Sequence, residues 1–175
     1  MKKRTILIVG LVVAVLVIVV GVTAYLNMGN FKEKKEMEKS AVILIKSGGK
    51  ELARVDMEYI KGLGEEEFSV NLDTSETDPE EHLYTGIPMK NLFNAFDIDI
   101  NKKSSVIAKA IDGYTIAFDI EEVLEEENIY IAYKMDGESL GSKIDGGSGP
   151  YQIIVRKDPF SQRWCKFSCT KLRIF

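Results

Sequence analysis

A strand-rich α+β domain preceded by one N-terminal membrane-spanning helix is the fold class this sequence predicts. An uncharged run from Thr5 to Leu26 has the length and composition of a span. Beyond it, short segments that alternate apolar and polar residues are separated by Gly-Gly and Asp-Gly pairs, the pattern of hairpin strands. Helical patterns are few and short, too small to make a layer of their own.

The first element is TILIVGLVVAVLVIVVGVTAYL, Thr5 to Leu26. As a helix its 22 residues reach roughly 33 Å, against a hydrocarbon core of about 30 Å. Lys2, Lys3 and Arg4 form a cytoplasmic n-region at residues 1–4, which orients the remainder outward. The competing reading is a cleaved signal peptide, with Val22-Thr23-Ala24 as the small-residue site. Against it, the run exceeds the roughly 7–15 residues of a signal core. The expected organisation is a transmembrane anchor at 5–26, a juxtamembrane linker at 27–40 and an extracytoplasmic domain at 41–175. Asn27 to Ser40 is dense in charge of both signs and reads as a solvated spacer.

Within the domain, Ala41 to Ile45 and Glu51 to Asp56 make a hairpin around Ser47-Gly48-Gly49-Lys50. Asp56 caps a short turn, Met57 to Lys61, which Gly62 and Gly64 end. Phe68 to Leu72 alternates as a half-buried strand does, and Asp73 to His82 reads as a long exposed loop. Pro88 is expected at the first position of a helix that carries Leu92, Phe93 and Phe96 on one face. Val106 to Ile111 and Tyr114 to Phe118 flank Asp112-Gly113, where a type I′ turn needs positive φ at both central residues. Asp119 to Glu127 predicts a short helix, acidic at its C-terminal end. Tyr130 to Met135 opens a second hairpin at Asp136-Gly137. Gly141 to Pro150 is a glycine-rich loop, Tyr151 to Val155 a buried strand, and Arg163 to Phe175 the last strand or pair of strands.

Three of the 23 bases precede the apolar run and all 27 acids follow it, so the outer portion carries about −7. That charge argues against nucleic acid or anionic lipid as the main partner and keeps the domain soluble. Cys165 and Cys169 are the two cysteines. On one continuous strand their Cα atoms would lie about 13 Å apart, beyond the roughly 7 Å a disulfide tolerates. Two buried, inert thiols are expected, with pairing across a bend the alternative.

Three pieces in order carry a resemblance: Tyr84-Thr-Gly-Ile-Pro-Met89, Asp112-Gly-Tyr114, and Ile131 to Leu140 followed by Gly149-Pro150 and Arg163-Trp164-Cys165. Together they resemble the sulfite-oxidase type molybdopterin-binding domain family, over about Ala41 to Phe175. The resemblance implies that fold. It also implies a molybdenum or tungsten pterin held through one cysteine thiolate, a soft ligand. The matching region, Val70 to Ser75, has no cysteine; Asp73 or Ser75 would offer only a hard oxygen. Export bears on the same point. Lys3-Arg4 lacks the two adjacent arginines of the route that carries folded, cofactor-loaded proteins.

No catalytic or metal-ligating set assembles from the sequence. His82, the lone histidine, reads as a solvated loop residue. Asp97-Ile-Asp-Ile-Asn101 starts like a calcium loop, but Lys102 stands at the turn glycine and Ala108 at the bidentate acid. Glu65 to Glu67 and Glu125 to Glu127 read as solvated faces. Gly146, Gly147, Ser148 and Gly149 are the candidate cofactor-binding residues, because successive glycines can aim backbone N–H groups at an anion. The competing reading is that they only permit a tight return into the Tyr151 strand.

The expected function is therefore a single-pass, membrane-anchored domain outside the cell, without molybdenum chemistry and with no cofactor. It would bind an unknown small ligand or surface protein, or act as a scaffold. The alternative is a molybdopterin-dependent oxidoreductase with atypical metal ligation. A third reading gives Cys165 and Cys169 a redox or metal role. The Lys-rich start with an external face suits a bacterial origin.

Overall fold

Apolar and charged segments separate the chain into two units, Met1–Glu36 and Met37–Phe175. The structure is a computed structural model that describes residues 3–73, 78–142, 146–158, 161, 163–165 and 169–175. In the first unit, α1 begins at Lys3 and its helical conformation continues to Lys39. Its Ile8–Leu26 segment has a mean hydropathy of 2.8, and this one helix is long and apolar enough to cross a membrane. The helix runs on through most of the expected linker.

The second unit is a strand-rich α/β body with two sheets. The first has the order β2-β1-β10-β5-β6. Its strands are β1 (Ile43–Ser47), β2 (Lys50–Val55), β5 (Ser105–Ala110), β6 (Thr115–Asp119) and β10 (Cys169–Ile174). The second runs β3-β4-β7-β8, with β9 also paired to β7. Its strands are β3 (Glu66–Leu72), β4 (Glu80–Pro88), β7 (Ile129–Met135), β8 (Glu138–Ser139) and β9 (Gln152–Val155). Among the described residues, only β1 and β10 pair in parallel; the other ladders are antiparallel. One core spans both sheets, and Trp164, Tyr84, Tyr130, Tyr133, Tyr151, Phe93 and Phe118 are its largest fully buried side chains.

Three short helices close the body: α2 (Met57–Lys61), α3 (Met89–Ala95) and α4 (Ile120–Leu124). Asp56 caps α2 by accepting from the Tyr59 N–H at 2.9 Å. Asp119 and Glu122 form a reciprocal capping box on α4, which makes a single turn stable despite its acidic end.

Several expectations need correction. The exposed loop after β3 is shorter than read, because β4 begins at Glu80. Residues 80–83 pair with β3 and lie beyond the β7 ladder, where Asp136 meets His82 and Leu83, so a polar sequence is tolerated there. From Tyr84 to Pro88 the strand is buried without alternation; Tyr84 to Gly86 pair on both sides, and Ile87 and Pro88 pair with β7. Pro88 is therefore the last strand residue and the cap of α3, one position earlier than expected. Leu92 and Phe93 are buried as read, while Phe96 follows the helix and stacks on Tyr59 at 5.3 Å.

The two Asp-Gly pairs behave differently. Asp136 and Gly137 both take positive φ, +54° and +82°, the I′ pattern. At Asp112-Gly113 only the glycine does, at +99°; Gly113 N–H donates to Ala110 O and Asp112 accepts from Tyr114 N–H. Ala110 N–H donates to Tyr114 O, so the loop holds three residues, Ile111 to Gly113, rather than the two of a type I′ turn.

Candidate functional site

The motif-bearing residues converge where β4 meets β7. Thr85 is buried, and the ladder shifts register between Thr85 and Gly86. A Cβ on Gly86 would lie 2.4 Å from Ile131 O and 2.7 Å from Ala132 Cα. The glycine thus lets two backbones close at a bulge. Trp164 is fully buried with its indole N–H donating to Val155 O at 3.0 Å.

The glycine loop is built in the same way. Gly147 N–H donates to Ser142 O at 2.9 Å, Ser148 N–H to Leu140 O at 3.0 Å, and Gly149 N–H to Gly141 O at 3.0 Å. A Cβ on Gly147 would meet Leu140 O at 2.3 Å. Gly146 and Gly149 take φ of +88° and +117°. Three of the four candidate cofactor-binding residues therefore spend their N–H groups on the loop's own carbonyls. Those N–H groups cannot also point at an anion while the loop keeps this form. Asp145 lies outside the described residues.

The region matched to the family's metal ligand is tied down by Ser161, which sequence reasoning missed. Ser161 is fully buried at φ +50°. Its hydroxyl donates to Asn71 O at 2.8 Å and accepts from Asp73 N–H at 3.0 Å. Ser75 lies outside the described residues.

His82 is not a solvated loop residue. It sits on β4 with its side chain 19% exposed, and its Nδ1 lies 2.7 Å from Asp136 Oδ2. Asp136 Oδ1 also accepts from Leu83 N–H at 3.0 Å. The His82 and Leu83 bonds hold the Asp136 carboxyl below the usual carboxylate range. No serine or cysteine is hydrogen-bonded to this pair among the described residues, so it staples the β7–β8 turn to β4.

Glu65 and Glu66 are also more than a solvated face. Tyr133 donates its hydroxyl to Glu65 and Tyr130 donates to Glu66, the latter at 2.8 Å. Burial, then the Glu66 bond, pushes Tyr130 up to about 12. Burial, then the Glu65 bond, raises Tyr133 as well. Both hydroxyls remain proton donors at physiological pH. Tyr84 is pushed up to about 12, by burial and then by the Asp136 charge, and its hydroxyl has no partner among the described residues.

Cys165 and Cys169 are free and fully buried, as expected, but they do not share one strand. Cys165 exchanges both backbone hydrogen bonds with Ile153 at 3.0 Å, whereas Cys169 N–H reaches Tyr151 O at 3.1 Å. Four apart in sequence, they sit opposite residues two apart, Ile153 on β9 and Tyr151 just before it. The single strand on which a 13 Å separation was expected is not formed. The neighbouring Cys165 thiol, and then burial, pushes the Cys169 thiol well above its ordinary value.

The sequence holds no cysteine before Cys165, so Val70 to Ser75 offers a metal no thiolate, and both cysteines are buried in the core.

No family model matches the sequence, and no curated protein sequence matches it. Among solved structures, the fold is similar to that of the sulfane dehydrogenase SoxCD from Paracoccus pantotrophus, with a TM-score of 0.58 and 14% identity. The likeness covers 77% of this chain and 38% of that one, so this chain spans well under half of that protein's length. At that identity the similarity is one of fold.

Proposed function

We propose that this chain is a membrane-anchored, extracytoplasmic domain with the sulfite-oxidase type fold, and that it binds a ligand or organises a partner without molybdenum chemistry. One observation carries the reading: the loop that would cradle a pterin spends the Gly147, Ser148 and Gly149 N–H groups on its own carbonyls. The missing upstream cysteine supports it from the sequence. The motifs shared with the family act on structure, since Gly86 permits a close ladder and Trp164 fills the core. A scaffold retained while its chemistry is gone is what these residues would make.

The fold likeness to a sulfane dehydrogenase keeps the oxidoreductase alternative in the test. Elemental analysis of the full chain purified from its native host decides between the two. The expected result is molybdenum and tungsten far below one equivalent per chain. One equivalent of either metal would overturn the proposal and establish a pterin enzyme with unusual ligation.

A further inference from the structure

We propose that the first sheet carries a binding pocket for a phosphoryl-type oxyanion, formed by Lys46, Lys103 and Arg173 beside the Gly48-Gly49 turn. The cavity measures about 520 Å³ and is also lined by Ile174 and Phe175. This is the size range of small-ligand sites. No acidic side chain lines it, although acids outnumber bases in the chain by 27 to 23.

The register makes the clustering costly. Lys46 and Arg173 are direct partners across the parallel β1–β10 ladder, where like charges repel. Lys46 also faces Glu51 across β2, but the Glu51 carboxylate is engaged by Arg54 at 3.2 Å. Neither Lys46 nor Arg173 has an ion pair among the described residues, and Lys103 touches an acid only through its field on Asp99. Lys103 enters from the segment before β5, which Ser104 fastens to Phe175 O through its N–H at 2.8 Å.

Three cations from three segments therefore line one cavity that has no acidic side chain among its lining residues. A bound oxyanion would relieve the Lys46–Arg173 repulsion and give each cation a charge-assisted bond. The turn offers room for it. Gly48 and Gly49, at φ +55° and +81°, have nothing within 4 Å of an added Cβ, so the rim there is bare main chain. Next to the pocket, sharing Ser47, Lys103 and Ile174, lies a depression lined by Lys50, Leu52, Phe96, Asp97, Ile98 and Asp99. Its two aspartates disfavour an anion there and leave the oxyanion to the first pocket. This site lies on the first sheet, shares no residue with the glycine loop and does not depend on the proposed function.

The phosphoryl group has two sources, a free phosphorylated molecule or a phospholipid head group, and the test separates them. Full chain in nonionic detergent is titrated with inorganic pyrophosphate by calorimetry. In parallel, full chain in nanodiscs of phosphatidylcholine, with or without phosphatidylglycerol, is acylated at lysine and read by mass spectrometry. Saturable pyrophosphate heat together with slowed acylation of Lys46 and Lys103, Lys61 being unchanged, assigns a free ligand. Slowed acylation in phosphatidylglycerol discs alone assigns a lipid head group.

Arg173→Gln should weaken the response about tenfold, as expected for one lost charge-assisted bond. Its thermal midpoint should not fall, because the change removes a repulsion, and that confirms folding. Absence of both heat and protection overturns the pocket. So does equal protection of Lys61, or an Arg173→Gln protein that binds as well as the parent.

Discussion

Gly86 shows how far one residue can determine a seam. Its added Cβ would sit 2.4 Å from Ile131 O, a backbone atom that cannot swing aside. Gly86→Ala should therefore cost about 3 kcal/mol through overpacking, seen as a lower urea midpoint with an unchanged slope. A midpoint within error of the parent would show that β4 and β7 are not so close. Asp136 provides a pH-dependent case. Its folded pKa is depressed by His82 and by Leu83 N–H, so its contribution is complete above the ordinary carboxylate range. That contribution is lost as pH falls through the depressed value. Asp136→Asn should consequently be less stable than the parent near neutrality, and the gap should close in acid. Urea midpoints measured across that range check it; a gap that stays constant with pH would remove the charge from the account.

At the scale of elements, local signals were read well where a side chain or a glycine acts on its own neighbours. Asp56 and α2 are an example, and so is the Gly48-Gly49 hairpin. Asp56→Ala should cost about 1 kcal/mol, the usual loss for an N-cap, measured as a shift in thermal midpoint. No shift would mean that packing of Ile60 alone holds the turn. What the sequence hid was decided by partners far along the chain. His82 looked solvated because its partner, Asp136, is 54 residues away. Glu65 and Glu66 looked like a charged face because Tyr133 and Tyr130 come from β7. The cysteines looked like residues of one strand because their backbone partners, Ile153 and Tyr151, lie earlier in the chain. The glycine loop was placed correctly, yet nothing local revealed that Leu140, Gly141 and Ser142 would take its N–H groups.

For the whole molecule, the two units make different demands of their surroundings. Ile8–Leu26 exposes Val, Ile and Leu along its length, with side chains mostly more than half accessible. Such a surface is not tolerated in water, so it requires a bilayer or removal. Met37–Phe175 instead encloses a core drawn from both sheets. The anchored reading thus predicts two outcomes. The full chain expressed in a bacterial host should sediment with membranes and resist alkaline carbonate, whereas residues 37–175 should stay in the soluble fraction and unfold in one cooperative step. N-terminal sequencing of the membrane-bound form decides between anchor and signal. An intact start is expected, because an apolar run of this length exceeds a signal core of roughly 7–15 residues. A mature chain beginning just after Ala24 would make the helix a signal and release the domain from the membrane.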